Sequence, residues 1–222
     1  MIAVRPTDLA PSCPAITIAG LTHRYGDREA LRGIDLEIGR GEIFGVLGPN
    51  GGGKTTLFKV LATLTPPQAG TVTIFDEDAG RAPERVRCRL GVVFQHPALD
   101  AKLTVLENLR CHAALYGLGS AEGRGRADIL LERLGLTDRT GDLVETLSGG
   151  LARRVELAKG LLHAPDLVLL DEPSTGLDPG AMRRMKDRIV QVAGEGAAVL
   201  LSSHILPLVE TLCSRVLIMS SG

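Results

Sequence analysis

Gly48-Pro49-Asn50-Gly51-Gly52-Gly53-Lys54-Thr55-Thr56 follows the apolar stretch Glu42–Leu47 and runs into Leu57, Val60, Leu61 and Leu64, which are spaced as on a helix. This is G-x-x-x-x-G-K-[ST] between a strand and a helix, the context that gives the pattern its meaning. Glycines let backbone N–H groups turn inward around phosphate oxygens without side-chain clash. A helix starting near Lys54 adds the positive end of its dipole. Lys54 is placed to neutralise β- and γ-phosphate charge, and Thr55 to offer a hydroxyl to Mg²⁺. The whole run, from Gly48 through Thr56, is therefore the candidate phosphate cradle.

A second site element lies far downstream. Leu167-Val-Leu-Leu-Asp171-Glu172 reads as a buried parallel strand ending in two acids. Ligands of open α/β sheets bind beyond the carboxyl ends of the strands, so both acids should face the phosphate loop. Asp171 suits the water shell of Mg²⁺, and Glu172 suits orienting or deprotonating an attacking water.

Between and around these elements, strands alternate with helices. Thr71–Phe75, Leu90–Phe94, Val199–Ser202 and Val216–Met219 are further strand candidates; Ala181–Val192 and Ile205–Leu212 are helical. Ile16–Leu21 and Ile34–Ile38 alternate apolar and polar residues, as an antiparallel edge would. From Leu103 the period turns helical, with Thr104-Val-Leu-Glu107 as a capping box and Gly117 as a stop. Gly119, Gly123 and Gly125 suggest a loop before helical spacing resumes over Ala127–Leu134. After Gly150 a helix should continue to about His163. The fold class is α/β: a P-loop NTPase core with a mostly parallel sheet, an antiparallel β edge and a helical insert over about residues 97–162. The expected organisation is a disordered leader over residues 1–15, broken by Pro6, Pro11 and Pro14, and one domain over 16–222.

Composition narrows the function classes. The chain has 222 residues, 44% apolar, and 25 basic against 26 acidic residues for a formal charge of −1. No net field draws it to nucleic acid or anionic lipid. Cys13, Cys88, Cys111 and Cys213 show no metal-ligand spacing and read as reduced thiols of a cytosolic protein. No apolar run approaches the roughly 18 residues of a membrane span. The arginines at 81, 85, 87 and 89 read as a solvated face, and Met182 and Met185 as core.

Taken in order, GPNGGGKTT, Gln95, LSGG at Leu147–Gly150, LVLLDEP at Leu167–Pro173 and His204 resemble the ATP-binding cassette ATPases, the motor subunits of ABC transporters. The likeness runs from about Ile16 to Met219. It implies ATP and Mg²⁺ as ligands, and an ATP-dependent homodimer, or a heterodimer with a similar subunit. It also implies a separate transmembrane permease chain, no nucleic-acid partner, and a cytoplasmic position on the inner face of the cell membrane. Gln95 would touch metal or water and link the site to the insert; His204 would hold the γ-phosphate. Tyr25 would stack on adenine. Ser148, Gly149 and Gly150 would complete the opposite protomer's site, although Ser148 could simply cap a helix. Arg153 and Arg154, in the next turn, would add to that anion site. Asp178 resembles the loop that crosses the dimer interface, with a plain N-cap before Pro179 as the competing reading.

Ala98–Leu118 and the stretch from Ser148 to Gly180 look like drug- and polysaccharide-exporter ATPases. Leu151 departs from the glutamine usual after LSGG. Gly52 replaces a more usual Ala or Ser and should loosen the loop slightly. The alternatives are a soluble ATPase of the same class, or an ATP-binding scaffold in complex assembly that moves no solute.

Overall fold

The computed structural model describes residues 14–96 and 98–220. Of the leader expected over residues 1–15, residues 1–13 lie outside the described residues, and Ala15 belongs to the fold: it is buried and its N–H donates to the Ile38 carbonyl at 2.8 Å. Along the chain come β1 (Ile16–Tyr25), β2 (Arg28–Ile38), β3 (Ile43–Leu47), α1 (Lys54–Leu61), β4 (Ala69–Ile74), β5 (Glu77–Asp78), α2 (Pro83–Arg87) and β6 (Leu90–Val93). Then follow α3 (Val105–Leu115), α4 (Ser120–Arg133), α5 (Gly149–Leu161), β7 (Leu167–Asp171), α6 (Pro179–Gly194), β8 (Ala198–Ser202), α7 (Leu206–Leu212) and β9 (Arg215–Ile218).

The parallel sheet has the order β6-β7-β8-β3-β9. Its central strands β7 and β8 are apolar up to their last residues, Asp171 and Ser202, because both faces are covered. Leu167, Leu169, Ala198 and Leu200 point into a core shared with Leu57, Phe58 and Leu61 of α1. Their alternates Val168, Leu170, Val199 and Leu201 enter a second core shared with α3 to α6. The period of two along each strand thus divides its residues between two layers. Truncating one such leucine to alanine costs about 2–5 kcal/mol.

The antiparallel strands do not form an edge of this sheet, as the sequence suggested. They make a separate sheet, β2-β1-β4-β5, packed across α1. Sequence patterning reveals a half-buried face but not which partner covers it. Two other expectations shift. α1 stops at Leu61, and Leu64 is exposed. Thr63 adopts φ 57°, and the Leu64 N–H reaches back to the Lys59 carbonyl at 2.9 Å, a left-handed cap before Pro66. Arg87 holds that turn by donating to Thr63 Oγ1 at 2.7 Å.

The glycines at 123 and 125 lie inside α4 and not in a loop. Each costs about 1 kcal/mol of helix propensity relative to alanine. Packing outweighs it: a Cβ at Gly123 would stand 2.9 Å from Ala113 Cβ, so glycine allows α4 to press against α3. Ala127, Leu130 and Leu131 are then buried on the same face. The capping box of α3 forms as read, with Thr104 Oγ1 accepting from the Glu107 N–H at 3.2 Å and Glu107 from the Thr104 N–H at 2.8 Å. The solvated arginine face is also present; Arg85 pairs with Glu77 at 3.1 Å and Arg89 with Asp166 at 2.6 Å.

Where α3 and the end of α5 meet β6, Tyr116 stacks on His163 at 3.6 Å between centroids, with His112 next to both. His163 Nε2 donates to the Leu90 carbonyl at 2.8 Å. Burial, then the charges of His163 and Lys159, pull His112 down from 6.5 to about 4. Between those values the unfolded chain takes a proton that the native chain refuses, so stability falls as pH drops from 6.5 towards 4. Urea titrations over that range should show a shallower loss in His112→Phe than in the wild type. Equal slopes would mean that His112 is not a source of the acid sensitivity.

Candidate functional site

The phosphate loop is built from the end of β3 and the start of α1. Gly53, at φ 100°, precedes the helix, and a Cβ there would stand 2.3 Å from the Ala30 carbonyl, so no other residue fits. An alanine at Gly52 would bring its Cβ 3.1 Å from the carbonyl oxygens of both Met219 and Pro49. Close packing of the loop on the β9 end thus accounts for glycine there. Lys54 is buried, its ammonium donating to the carbonyls of Gly48 at 2.7 Å and Pro49 at 3.1 Å. Arg28, which the sequence reading passed over, donates to the Gly51 carbonyl at 2.6 Å and ties the β2 start to the loop.

The acids arrive from β7. Asp171 is buried; its Oδ2 accepts from Thr55 Oγ1 at 3.2 Å and its Oδ1 from Ser202 Oγ at 2.5 Å. Ser202 Oγ also accepts from the Glu172 N–H at 2.9 Å. Ser202 is the positioning residue missed in the sequence. Its trace was a polar residue closing an otherwise apolar strand. Glu172 has φ 50°, a strained conformation for a side-chain-bearing residue that turns the chain out of the strand. Its Oε2 accepts from His204 Nδ1 at 2.8 Å, and its Oε1 is buried without a hydrogen-bond partner among the described residues.

Tyr25, Asn50, Gly51, Gly53, Lys54, Thr55, Thr56, Gln95, Asp171, Glu172 and His204 line one cleft of about 500 Å³, together with Arg28, Ala30 and Thr175. Gly48, Pro49 and Gly52 lie behind it and shape the loop. The parallel topology explains the gathering: β3, β6, β7 and β8 all end on this edge. Thr55, Asp171 and Gln95 bring hard oxygen donors together, which fits Mg²⁺ better than a soft metal. Tyr25 is half exposed and meets His23 edge-on at 4.8 Å, leaving a ring at the mouth of the cleft.

Ser148, Gly149, Gly150 and Asp178 do not line that cleft. Ser148 borders a separate one with Arg139 and Arg154. It caps α5, accepting from the Leu151 N–H at 3.4 Å. Asp178 caps α6, and its carboxyl is held below the usual carboxylate range by the Ala181 N–H first, then by Gly180 and the charges of Arg154 and Arg184, against desolvation. Of the two arginines expected at an anion site, Arg154 borders the Ser148 cleft while Arg153 is committed elsewhere. Arg154 donates to the carbonyls of Leu134 and Gly135, each at 3.0 Å, and Arg153 is buried among backbone carbonyls. The two halves of the candidate site stand apart within one chain.

A glycine-rich phosphate loop leading into a helix, with an acidic strand end opposite it on a parallel sheet, defines a P-loop nucleotide-binding domain. Comparison with known proteins narrows the class. A family model described as ABC transporter matches residues 31–175, and the chain belongs to that family as an ATP-binding domain. It is 43% identical over 208 residues to daunorubicin resistance ATP-binding protein DrrA3 of Streptomyces coeruleorubidus, covering 94% of this chain and 66% of that protein. It is 38% identical over 211 residues to Nod factor export ATP-binding protein I of Ralstonia nicotianae, covering 95% and 66%. The chain therefore spans just under two thirds of the length of these curated relatives. A solved dimeric structure of a bacterial ABC transporter cassette superposes with a TM-score of 0.84 at 26% identity, covering 93% of this chain and 95% of that one. Among the described residues, no helix is long and apolar enough to cross a membrane.

The placement of Tyr25 makes a test of base stacking simple. Stacking should contribute about 1–3 kcal/mol to nucleotide affinity. Tyr25→Phe should keep affinity for a fluorescent ATP analogue, and Tyr25→Ala should lose roughly 5- to 150-fold. Equal affinity in all three proteins would show that the base lies elsewhere.

Proposed function

We propose that this chain is the ATP-binding and ATP-hydrolysing motor of a membrane exporter, acting as a dimer beside a separate transmembrane permease chain. It would sit on the cytoplasmic face of the membrane through that permease. The observation that carries the hydrolytic reading is the buried Glu172 carboxylate. One oxygen is held by His204 and the other has no partner among the described residues, on the cleft that Lys54 and the phosphate loop line. Buried acceptors are nearly always satisfied, so an unpartnered one at a cleft fits a group that receives a water's proton.

In this reading Tyr25 stacks on the base, while Lys54 and the loop N–H groups bind the β- and γ-phosphates. Thr55, Asp171 and Gln95 would hold Mg²⁺, which would supply charge neutralisation to the phosphates. Glu172 orients and deprotonates the attacking water, and His204 steadies the γ-phosphate. Ser148, Gly149, Gly150 and Asp178 would complete the partner protomer's site, consistent with their distance from the cleft of their own chain. The exporter reading draws on the drug-resistance and Nod-factor-export names of the relatives.

The test is purification of the native complex from detergent-solubilised membranes, with hydrolysis of Mg·ATP measured on it. A stoichiometric multi-span membrane protein and phosphate release are expected. An active chain that never copurifies with a membrane protein would overturn the exporter reading, and a chain that binds no ATP would overturn both.

A further inference from the structure

The loop that carries Gln95 leaves β6 after Val93, whose ladder partner in β7 is Leu170. Beyond that rung the two strands no longer pair, yet Gln95 and Glu172 both line the cleft. What joins the separated ends is α5. Arg153, only 4% exposed, spreads its guanidinium across them. One terminal nitrogen donates to the Phe94 carbonyl, the residue before Gln95. The other donates to the carbonyls of Asp171 at 2.7 Å and Glu172 at 2.9 Å, and Nε to that of Pro173 at 3.2 Å.

The same face of α5 grips the far side of the loop. Glu156, three residues on and also buried, accepts from the Ala98 N–H at 2.7 Å. Lys159, three residues further, donates to the Ala98 carbonyl at 2.6 Å and lies 3.5 Å from Glu156. Each side chain in this row is a helix neighbour of the next at i,i+3, so the three run as one continuous strip along α5. Burying a guanidinium and a carboxylate is costly, and removing one partner would leave the others uncompensated. A hydrophobic face would have packed α5 against the sheet equally well. The charged row does what apolar packing does not, which is to fix particular backbone atoms.

We infer that Arg153, Glu156 and Lys159 form a bracket that holds Gln95 in register with Glu172 over the cleft, with Arg153 as its principal positioning residue. The bracket begins one turn after Ser148, Gly149 and Gly150, so whatever binds that segment acts on Gln95 and Glu172 through one helix. This inference rests on the proposed hydrolysis at the Lys54–Glu172 cleft. Among the described residues the hydrogen bonds of Arg153 all go to backbone carbonyls, so it acts through the groups it places.

The experiment uses the complete chain, with steady-state hydrolysis of Mg·ATP and amide exchange as separate readouts. Arg153→Lys keeps charge and stem but loses the planar fork. Its kcat should fall about 10- to 100-fold, the scale of a small misplacement of reacting groups. KM should stay within about twofold, since uniform binding is untouched. In a Gln95→Ala background the same substitution should cost at least about fivefold less than in the wild type, because the two residues act as a unit. An equal loss in both backgrounds, or an unchanged kcat, would overturn the inference.

Glu156→Leu, which has a similar volume but no acceptor for the Ala98 N–H, covers the case in which Arg153 variants fail to fold, and it should raise exchange of the Ala98 amide while KM stays near wild type. Unchanged exchange there would remove the bracket whatever the kinetics. A wild-type chain that hydrolyses no ATP would instead refute the proposed function, and the catalytic role of the bracket with it.

Discussion

Glu172→Gln is expected to cut ATP hydrolysis by about 100- to 10,000-fold, the range for losing a general base, while leaving ATP binding intact. The substitution is nearly isosteric, and the amide can still meet His204, which lies 2.8 Å from Oε2. The fork holding the backbone of residue 172 is untouched, because Arg153 and Ser202 bond its carbonyl and N–H. What is lost is the proton-accepting charge alone. With binding preserved and turnover stopped, Mg·ATP should accumulate on the protein and hold it as a dimer in gel filtration. Hydrolysis by the variant at the wild-type rate would remove Glu172 from the chemistry. A variant that no longer binds ATP would show that the carboxylate is structural.

Mixing two inactive variants is expected to restore nucleotide trapping. Lys54→Ala removes the ammonium that the loop carbonyls position, and Ser148→Arg fills the second cleft with bulk and charge. Each homodimer should trap no ATP. In a two-fold dimer the same patches meet twice, so a residue facing the partner's loop does so at both sites. If Lys54 works with the partner's Ser148 segment, a mixed dimer gathers both defects in one composite site and leaves the other intact. If the two residues work within one chain, both sites stay damaged. With Glu172→Gln in both chains to stop turnover, filter-bound [α-³²P]ATP should reach about one nucleotide per mixed dimer. No recovery, with crosslinking proof that mixed dimers formed, would refute the shared site. The separation of the Ser148 cleft from the Lys54 cleft in one chain is the reason to expect recovery.

The site residues differ in how much of their role is written in the local sequence. The phosphate loop and the acidic strand end are local devices. Gly53 is required by a backbone angle and a carbonyl contact, Lys54 and Thr55 follow it directly, and Asp171-Glu172 close an apolar run. Such constraints act over a few residues and so leave a contiguous trace. The capping box of α3 and the strands of the parallel sheet were legible for the same reason. Tyr25, Gln95 and His204 have no such trace; only likeness to a family singled them out, and the sheet topology then brought them to the same cleft.

What the sequence by itself determined was the parallel strands, most of the larger helices and the local motifs at the carboxyl edge of the parallel sheet, but not the short β5 and α2. Periodicity and short motifs are written along the chain. Tertiary structure alone decided the remainder. It assigned the antiparallel strands to their own sheet across α1, because a half-buried face does not name its cover. It kept Gly123 and Gly125 within α4, where close packing of Gly123 against Ala113 and burial of Ala127, Leu130 and Leu131 outweigh propensity. It turned Arg153 from a candidate anion ligand into a buried bracket, because its four carbonyl acceptors come from segments 18 to 59 residues away. A hydrogen bond to a distant backbone carbonyl depends on the path of the chain and not on the identity of the accepting residue, so no residue pattern in the sequence can announce it.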